Sequence, residues 1–241
     1  MFNFRWYNTR QGKSQESPKM NGRHELKYHI NAADYAQLRA RLRVVAQPDE
    51  NATEDGTYTI RSLYFDNYSD KAVTEKLSGM SRREKFRLRY YNGDTSFIRL
   101  EKKRKANRLC YKESAAITAE QCGGLISGKL ELLRLPEAPL MMELYTKMRY
   151  QNLRPKNVVE YHREAYKYRA GNVRVTFDSK IRTSNCVAGF LSPGLVTIPA
   201  ANTIIMEIKY DGFLPDIMRD IVQIGCRNQT EFSKYVVARL V

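Results

Sequence analysis

Charged and apolar residues alternate along several stretches of this chain, and this period of two restricts what the stretches can form. Residues 85–89 read Lys-Phe-Arg-Leu-Arg, so in an extended strand three cations share one face and two large apolar side chains share the other. Similar alternation recurs at residues 98–103, 173–178 and 206–209. The pattern predicts antiparallel β-strands that bury one face and carry charge on the other.

The charges on these predicted faces are mostly positive. The cations that collect there with few acidic partners are Lys85, Arg87, Arg89, Arg99, Lys103, Lys112, Arg163 and Arg174. Like charges opposite each other on neighbouring strands destabilise a sheet, so such a face is easier to understand if a polyanion lies against it. The alternation fits either an open sheet with one solvent-exposed face or a closed barrel whose charged faces line a tunnel. Composition does not distinguish these two arrangements.

The overall charge points to the same kind of partner. The 241 residues include 41 Lys and Arg against 26 Asp and Glu, a formal net charge of +15. An excess of this size is typical of proteins that bind nucleic acid, anionic membranes or phosphate-rich small molecules. With 42% hydrophobic residues, the chain can also bury a proper core.

Targeting and cysteine patterns indicate where the protein works. No apolar run approaches the ~18 residues that a membrane span needs, and residues 1–19 lack the apolar stretch of a signal peptide. The four cysteines are scattered, with no Cys-x-x-Cys pair, which favours free thiols in a reducing compartment. We therefore expect a soluble, cytoplasmic protein.

Several common catalytic motifs are missing from the sequence. It contains no G-x-x-x-x-G-K-[ST], G-x-G-x-x-G or G-x-S-x-G, which excludes the commonest phosphate-binding loops and serine-nucleophile turns. Three dispersed histidines do not form a transition-metal site. Any phosphate would have to be bound by side-chain cations.

The residue patterns predict one α+β domain, mainly of antiparallel strands. Residues 1–22 are polar and are expected to be a flexible N-terminal segment, whereas no linker or repeat divides residues 23–241. Strands are predicted at 25–30, 58–65, 85–91, 96–105, 109–116, 158–169, 173–182 and 202–210. Helices are predicted at 31–45, 118–133, 139–150, 215–224 and 231–240, and a hairpin turn at Asn92-Gly93-Asp94.

A Glu-x-Lys triplet occurs three times on the predicted strands. The three copies are Glu25-Leu26-Lys27, Glu101-Lys102-Lys103 and Glu207-Ile208-Lys209. Each places a carboxylate and an ammonium on one face, ~7 Å apart along the strand. The carboxylate can hold a divalent cation while the neighbouring cations hold phosphate oxygens.

Nine short stretches, in order, match a known family. They are Glu25–Tyr28, Arg61–Asp66, Lys85–Tyr91, Leu100–Lys103, Tyr111–Glu113, Tyr161–Arg163, Val173–Asp178, Met206–Lys209 and Ser233–Tyr235. Through them the chain resembles, from about Glu25 to its C-terminus, the catalytic domain of the vacuolar transporter chaperone (VTC) complex. That domain is the polyphosphate polymerase branch of the triphosphate tunnel metalloenzymes.

The resemblance implies a fold and a reaction. The fold would be an eight-stranded, closed antiparallel β-tunnel with a charged interior and helices packed on the outside. The reaction would transfer the γ-phosphate of ATP to a growing inorganic polyphosphate chain and release ADP, with Mn²⁺ or Mg²⁺. ATP and polyphosphate or triphosphate would be the partners; an accessory membrane protein is left open.

The resemblance also implies roles for individual residues. The catalytic cations that grip phosphate would be Lys27, Arg87, Arg89, Lys103, Lys112, Arg163, Arg174 and Lys234. Further phosphate or nucleotide contacts would come from Arg61, Tyr64, Lys85, Lys209 and Ser233. Glu207 would hold the metal, and Ser233 and Lys234 would lie at a tunnel mouth.

Two other functions fit the same residues. The first is an inorganic triphosphatase or nucleotide hydrolase of the same superfamily, but a lining rich in cations and poor in carboxylates favours the polymerase, because a hydrolase must activate water. The second is a polyphosphate-binding module without catalysis. Nucleic-acid binding is not expected, because the cations alternate along strands and no aromatic RNA-binding motif accompanies them.

Overall fold

Ten strands, all paired antiparallel, form a single sheet in the computed structural model, which describes residues 22–106, 109–129, 138–225 and 227–241. The strands are β1 (His24–Ile30), β2 (Gln47–Pro48), β3 (Thr57–Asp66), β4 (Arg82–Tyr91), β5 (Asp94–Ala106), β6 (Leu109–Ile117), β7 (Arg154–Tyr168), β8 (Val173–Ser184), β9 (Ile198–Ala201) and β10 (Ile204–Tyr210). Eight strands follow one another in the hydrogen-bonded order β1-β10-β8-β7-β3-β4-β5-β6, here called the main path. The two remaining strands lie off this path, β2 paired with β7 and β9 paired with β8. The predicted mainly antiparallel fold is confirmed. The predicted N-terminal segment lies outside the described residues, apart from Gly22.

Six α-helices accompany the sheet within the described residues. They are α1 (Ala32–Val45), α2 (Lys71–Leu77), α3 (Ala119–Ser127), α4 (Pro139–Tyr150), α5 (Asp216–Val222) and α6 (Lys234–Arg239). None of the helices within the described ranges is long and apolar enough to cross a membrane. The sequence patterns predicted five of them; the short α2 was not predicted.

Local sequence determines where these elements begin and turn. Asn31 caps α1, because its side chain accepts a hydrogen bond from the Asp34 amide at 2.8 Å while Asp34 accepts one from the Asn31 amide. Helix α3 ends earlier than predicted, since Gly128 adopts the left-handed conformation with φ of 73°; most of the predicted continuation lies outside the described residues. Asn92 and Gly93, with φ of 50° and 73°, form the predicted two-residue turn between β4 and β5.

The two ends of the main strand path, β1 and β6, meet at one point. Just before β1, the backbone of Arg23 exchanges two hydrogen bonds with Cys110 of β6, at 3.2 and 3.3 Å. Within the described residues, no continuous ladder joins the two strands. The sheet therefore curves until its edges touch, but among the described residues the closed tunnel implied by the resemblance is sealed by backbone hydrogen bonds only at this bridge.

Two apolar clusters cover the outer face of the sheet. The first lies under α3 and α4 and includes Leu63, Leu88, Leu100, Leu125, Leu144 and Met148. The second lies under α1 and α5 and includes Leu38, Leu42, Val175, Phe177, Met206, Ile208 and Met218. Because strand side chains alternate, burial of these residues turns the charged residues between them to the inner face.

Helix α6 departs from the expectation that the helices pack on the outside. Tyr235 of α6 stacks on Tyr64 with ring centroids 5.0 Å apart and donates a hydrogen bond to Asp66 at 2.9 Å. Tyr64 faces inward, so α6 lies against the inner face. The reason is that part of this face is apolar: Ile60 and Tyr161 belong to a third buried cluster together with Tyr235.

The outer clusters generate a stability prediction. Leu88 is fully buried on the strand that also presents the inward cations. We expect Leu88→Ala to lower the free energy of unfolding by about 2–5 kcal/mol, because the deleted side chain leaves a cavity. Urea unfolding followed by circular dichroism measures this value. Val44→Ala, at an exposed position of α1, should change it by less than about 0.5 kcal/mol; equal losses in both variants would contradict the assigned core.

Candidate functional site

A cavity of about 300 Å³ lies on the inner face of the sheet. All eight strands of the main path contribute to its wall, together with Ser233 and the first residue of α6. The predicted site residues that line it are Lys27, Tyr64, Lys85, Arg87, Arg89, Lys103, Lys112, Arg163, Arg174, Glu207, Lys209, Ser233 and Lys234. The structure thus brings together residues that lie as far apart in the chain as β1 and α6.

The placement of Arg61 is corrected by the structure. Its guanidinium pairs with Glu160 at 2.7 Å and donates hydrogen bonds to Tyr90 and to the backbone carbonyls of Phe190 and Ser192. It does not line the cavity. Arg61 stands three positions before the inward-facing Tyr64 on β3, so the alternation of the strand turns it to the outer face.

The cavity wall is strongly positive. It includes eleven Lys and Arg side chains but only three carboxylates, Glu25, Glu101 and Glu207. Lys85, Lys103 and Lys112 are direct cross-strand neighbours on β4, β5 and β6. Because Cβ atoms of such neighbours lie ~5 Å apart, the ammonium groups repel one another unless an anion lies between them.

Glu101 holds part of this wall in place. Its carboxylate is only 1% exposed and contacts Arg87 at 2.6 Å, Lys112 at 2.6 Å and Arg89 at 3.8 Å. Burial opposes ionisation, but Arg87 and Arg89 outweigh it and keep the pKa of Glu101 well below its usual range. The carboxylate therefore stays charged and orients three cations toward the cavity.

Asp178 performs the same task for two other cations. Arg163 binds it through two hydrogen bonds of 2.6 and 2.7 Å, and Lys234 contacts it at 2.5 Å. Burial raises the pKa of Asp178, but Arg163 and Lys234 outweigh burial and lower it to about 2. The sequence indicated an inward Asp178, but not that it joins β7 to α6.

Glu207 and Glu25 form the carboxylate part of the site. Lys209 contacts both, at 3.0 and 3.7 Å, while Lys27 contacts Glu207 at 3.4 Å and Lys103 contacts Glu25 at 2.7 Å. Burial opposes the charge on each carboxylate, yet the surrounding lysines keep the pKa of both below normal. Only Glu207 is predicted as a metal ligand from the family resemblance, although Glu25 belongs to an equivalent Glu-x-Lys triplet.

These two carboxylates fit a hard divalent ion. The described residues contain no group of three or more His, Cys, Asp or Glu that could enclose a metal. Mg²⁺ is commonly bound by one or two carboxylates together with substrate phosphates, and Mn²⁺ accepts the same oxygen donors. Glu207 and Glu25 supply such a pair, and a bound phosphate chain would supply the remaining oxygens.

Lys85 is the lining cation with the most unusual environment. Its Nζ lies 3.5 Å from the Ser233 hydroxyl and 5.5 Å from the centre of the Tyr64 ring. Burial, reinforced by Lys103 and Lys27, lowers the pKa of Lys85 to about 7 against the opposing effect of Tyr64. Burial raises the pKa of Tyr64, but Arg87 and Lys85 outweigh it and lower that pKa to about 7.

These two groups make anion binding depend on pH. A bound polyanion favours charged Lys85 and neutral Tyr64, the protonated form of each group. Binding therefore raises both pKa values and takes up protons, so affinity should fall as the pH rises above about 7.

Calorimetry with tripolyphosphate at pH 8, in buffers of different ionisation enthalpy, measures this uptake. Lys85→Arg keeps the positive charge but cannot titrate in this range. The variant should take up fewer protons than the parent protein when it binds tripolyphosphate. Protons exchanged by tripolyphosphate itself contribute equally to both measurements, so the difference reports on residue 85. Identical uptake by the two proteins would contradict the assignment to Lys85.

Comparison with known proteins adds the family. The family model described as "VTC domain" matches residues 22–241. No curated protein is significantly similar in sequence. Among solved structures, a candidate adenylate cyclase from Bacillus halodurans aligns over 83% of this chain and 87% of its own, with 11% identity and a TM-score of 0.49.

Two archaeal structures are similar to a comparable extent. A conserved hypothetical protein from Pyrococcus furiosus covers 83% of this chain and 85% of its own, at 11% identity and a TM-score of 0.41. A protein from Pyrococcus horikoshii covers the same shares at 16% identity and a TM-score of 0.41. None of these three likenesses supports an argument about activity.

Proposed function

The chain belongs to the VTC domain family of the triphosphate tunnel metalloenzymes, and on that premise we propose that it is a polyphosphate polymerase of the cytoplasm. It transfers the γ-phosphate of ATP to the end of an inorganic polyphosphate chain and releases ADP. The observation that carries the proposal is the cavity wall, with eleven cations against three carboxylates in a space of about 300 Å³. Such a wall neutralises several adjacent phosphates at once.

Phosphoryl transfer requires mainly positioning and charge neutralisation from a protein. Arg87, Arg89 and Arg163 line the cavity with guanidinium groups whose positive charge can neutralise phosphate oxygens. The lysines of β4, β5 and β6 add point charges to the same wall. Lys234, oriented by Asp178, would bind one end of the chain.

Glu207 and Glu25 would hold the divalent ion. When bound, Mn²⁺ or Mg²⁺ neutralises charge on neighbouring phosphates and polarises the transferred group. Lys209 and Lys27 neutralise the two carboxylates in its absence and keep their orientation.

The carboxylates of the wall favour chain growth over hydrolysis. A hydrolase must activate a water molecule, for which an available base is useful, whereas the terminal phosphate of a growing chain is already ionised. Each of the three lining glutamates is engaged by at least two cations. None of them is therefore an available base.

The proposal predicts the product of an incubation with ATP and Mn²⁺, with and without a short polyphosphate primer. Gel electrophoresis should show long chains, while a separate assay measures orthophosphate. Glu207→Ala and Lys234→Ala should lower the rate of chain growth by at least about 100-fold, since each removes a charge that the transition state needs. The matched controls are Glu120→Ala and Arg149→Ala, which remove one charge of each sign from exposed positions and should keep the parental rate.

Each product pattern has a distinct meaning. Orthophosphate without chain growth would replace the polymerase with a triphosphatase. Tight binding of polyphosphate without either product would leave a binding module.

A second prediction concerns the metal. If Glu25 shares the ion with Glu207, Glu25→Gln should raise the Mn²⁺ concentration for half-maximal activity about 10-fold or more, because one charged oxygen donor is lost. The maximal rate at saturating Mn²⁺ should change much less. Glu120→Gln serves as the control, and an unchanged Mn²⁺ requirement in Glu25→Gln would exclude Glu25 as a ligand.

A further inference from the structure

The main cavity has a side opening that the proposed reaction does not use. A smaller cavity of about 90 Å³ shares Lys27, Lys85, Lys103 and Ser233 with the main one. Its outer wall is formed by α2, β4 and β5, and residues 229–233 run across it. This segment is held by the amide of Thr230, which donates a hydrogen bond to the carbonyl of Lys27 at 2.8 Å.

Glu231, on this crossing segment, is held by three cations from three separate elements. It contacts Lys76 of α2, Arg83 of β4 at 3.2 Å and Lys105 of β5 at 3.0 Å. The Glu231 side chain is 62% exposed, whereas those of the three cations are 15–24% exposed. Burial raises the pKa of Glu231, but Lys76 and Lys105 outweigh it and lower the pKa to about 2.

The three cations have no other acidic partner within the described ranges of the chain. They therefore form a cluster of three like charges around one exposed, movable carboxylate. A lone surface ion pair contributes little to stability, so stability alone does not explain a cluster of this kind. Its geometry is that of an anion site that Glu231 occupies.

This cluster continues the cation rows of the main cavity. In the β4–β5 register, Arg87 lies opposite Glu101, Lys85 opposite Lys103, and Arg83 opposite Lys105. Residues two apart on a strand share a face and are ~7 Å apart, so these pairs form successive steps from the cavity to the opening. Beyond it, an open groove includes five cations, Lys71, Arg82, Arg83, Arg104 and Lys105, against two carboxylates, Glu75 and Glu84.

We propose that Lys76, Arg83 and Lys105 form an exit site for the polyphosphate chain, and that Glu231 occupies this site until the chain displaces it. The identity of the ligand rests on the proposed function, but binding at the exit site needs no turnover. A triphosphate that fills the main cavity does not reach the site. A longer chain reaches it and competes with the carboxylate.

This competition predicts opposite effects of two substitutions. Glu231→Gln removes the competing charge, so long-chain polyphosphate should bind several-fold more tightly. The double variant Arg83→Met and Lys105→Met should weaken long-chain binding about 10-fold or more and reduce the dependence of log Kd on log salt by about 1 for each cation removed. Neither variant should change tripolyphosphate binding by more than about 2-fold.

The test uses the whole 241-residue chain. Tripolyphosphate and long-chain polyphosphate are the two probes, each titrated into the protein in a calorimeter at several NaCl concentrations. Arg149→Met is the matched control for loss of an outer cation, and thermal melting verifies that each variant folds. Glu231→Gln changes an exposed side chain, so it keeps the proposal testable if the double variant is unstable.

The outcomes separate this proposal from the previous one. Equal changes for both probes, or no change for the long chain, would overturn the exit site. If the variants discriminate between the probes as expected while the parent protein extends no chain, the exit site is supported and the polymerase assignment fails.

Discussion

Repulsion between cations on one face of a sheet is the constraint on which the rest of this structure depends. The cross-strand lysines of β4, β5 and β6 would destabilise the sheet if left alone. Three features offset them: apolar clusters that hold the opposite face under the helices, buried carboxylates that pair with selected cations, and a cavity that admits an anion. The same repulsion that costs stability would be relieved by a bound anion, and under the proposed function that anion is a phosphate chain.

Much of this arrangement could be predicted from the sequence, because alternation in a strand assigns each residue to a face. That rule correctly turns Arg87, Arg89 and Lys103 toward one surface. It also explains why Arg61 lies elsewhere than the family resemblance implies. An odd separation from Tyr64 on the same strand puts the two side chains on opposite faces.

The remaining features depend on contacts that no local pattern contains. Asp178 meets Lys234 across 56 residues, and Glu231 meets Lys105 across 126 residues. The position of α6 on the inner face follows from an apolar area to which four separate strands contribute, β3, β7, β8 and β10. The contact between β1 and β6 likewise depends on the summed twist of eight strands, which no single strand reveals.

The single backbone bridge between Arg23 and Cys110 has a consequence for motion. Interior strands are held by a ladder on each side, whereas within the described residues β1 has a continuous ladder only with β10 and otherwise meets residues 229–230 through isolated backbone contacts. Peeling β1 away therefore breaks fewer hydrogen bonds than displacing any interior strand of the main path, and local opening follows the weakest cooperative unit. Since β1 carries Glu25 and Lys27, such a fluctuation would open the cavity along its length, at the cost of the contacts that Leu26, Tyr28 and Ile30 make with the second apolar cluster. A long polyanion then has a lateral route into the protein that does not require threading by one end.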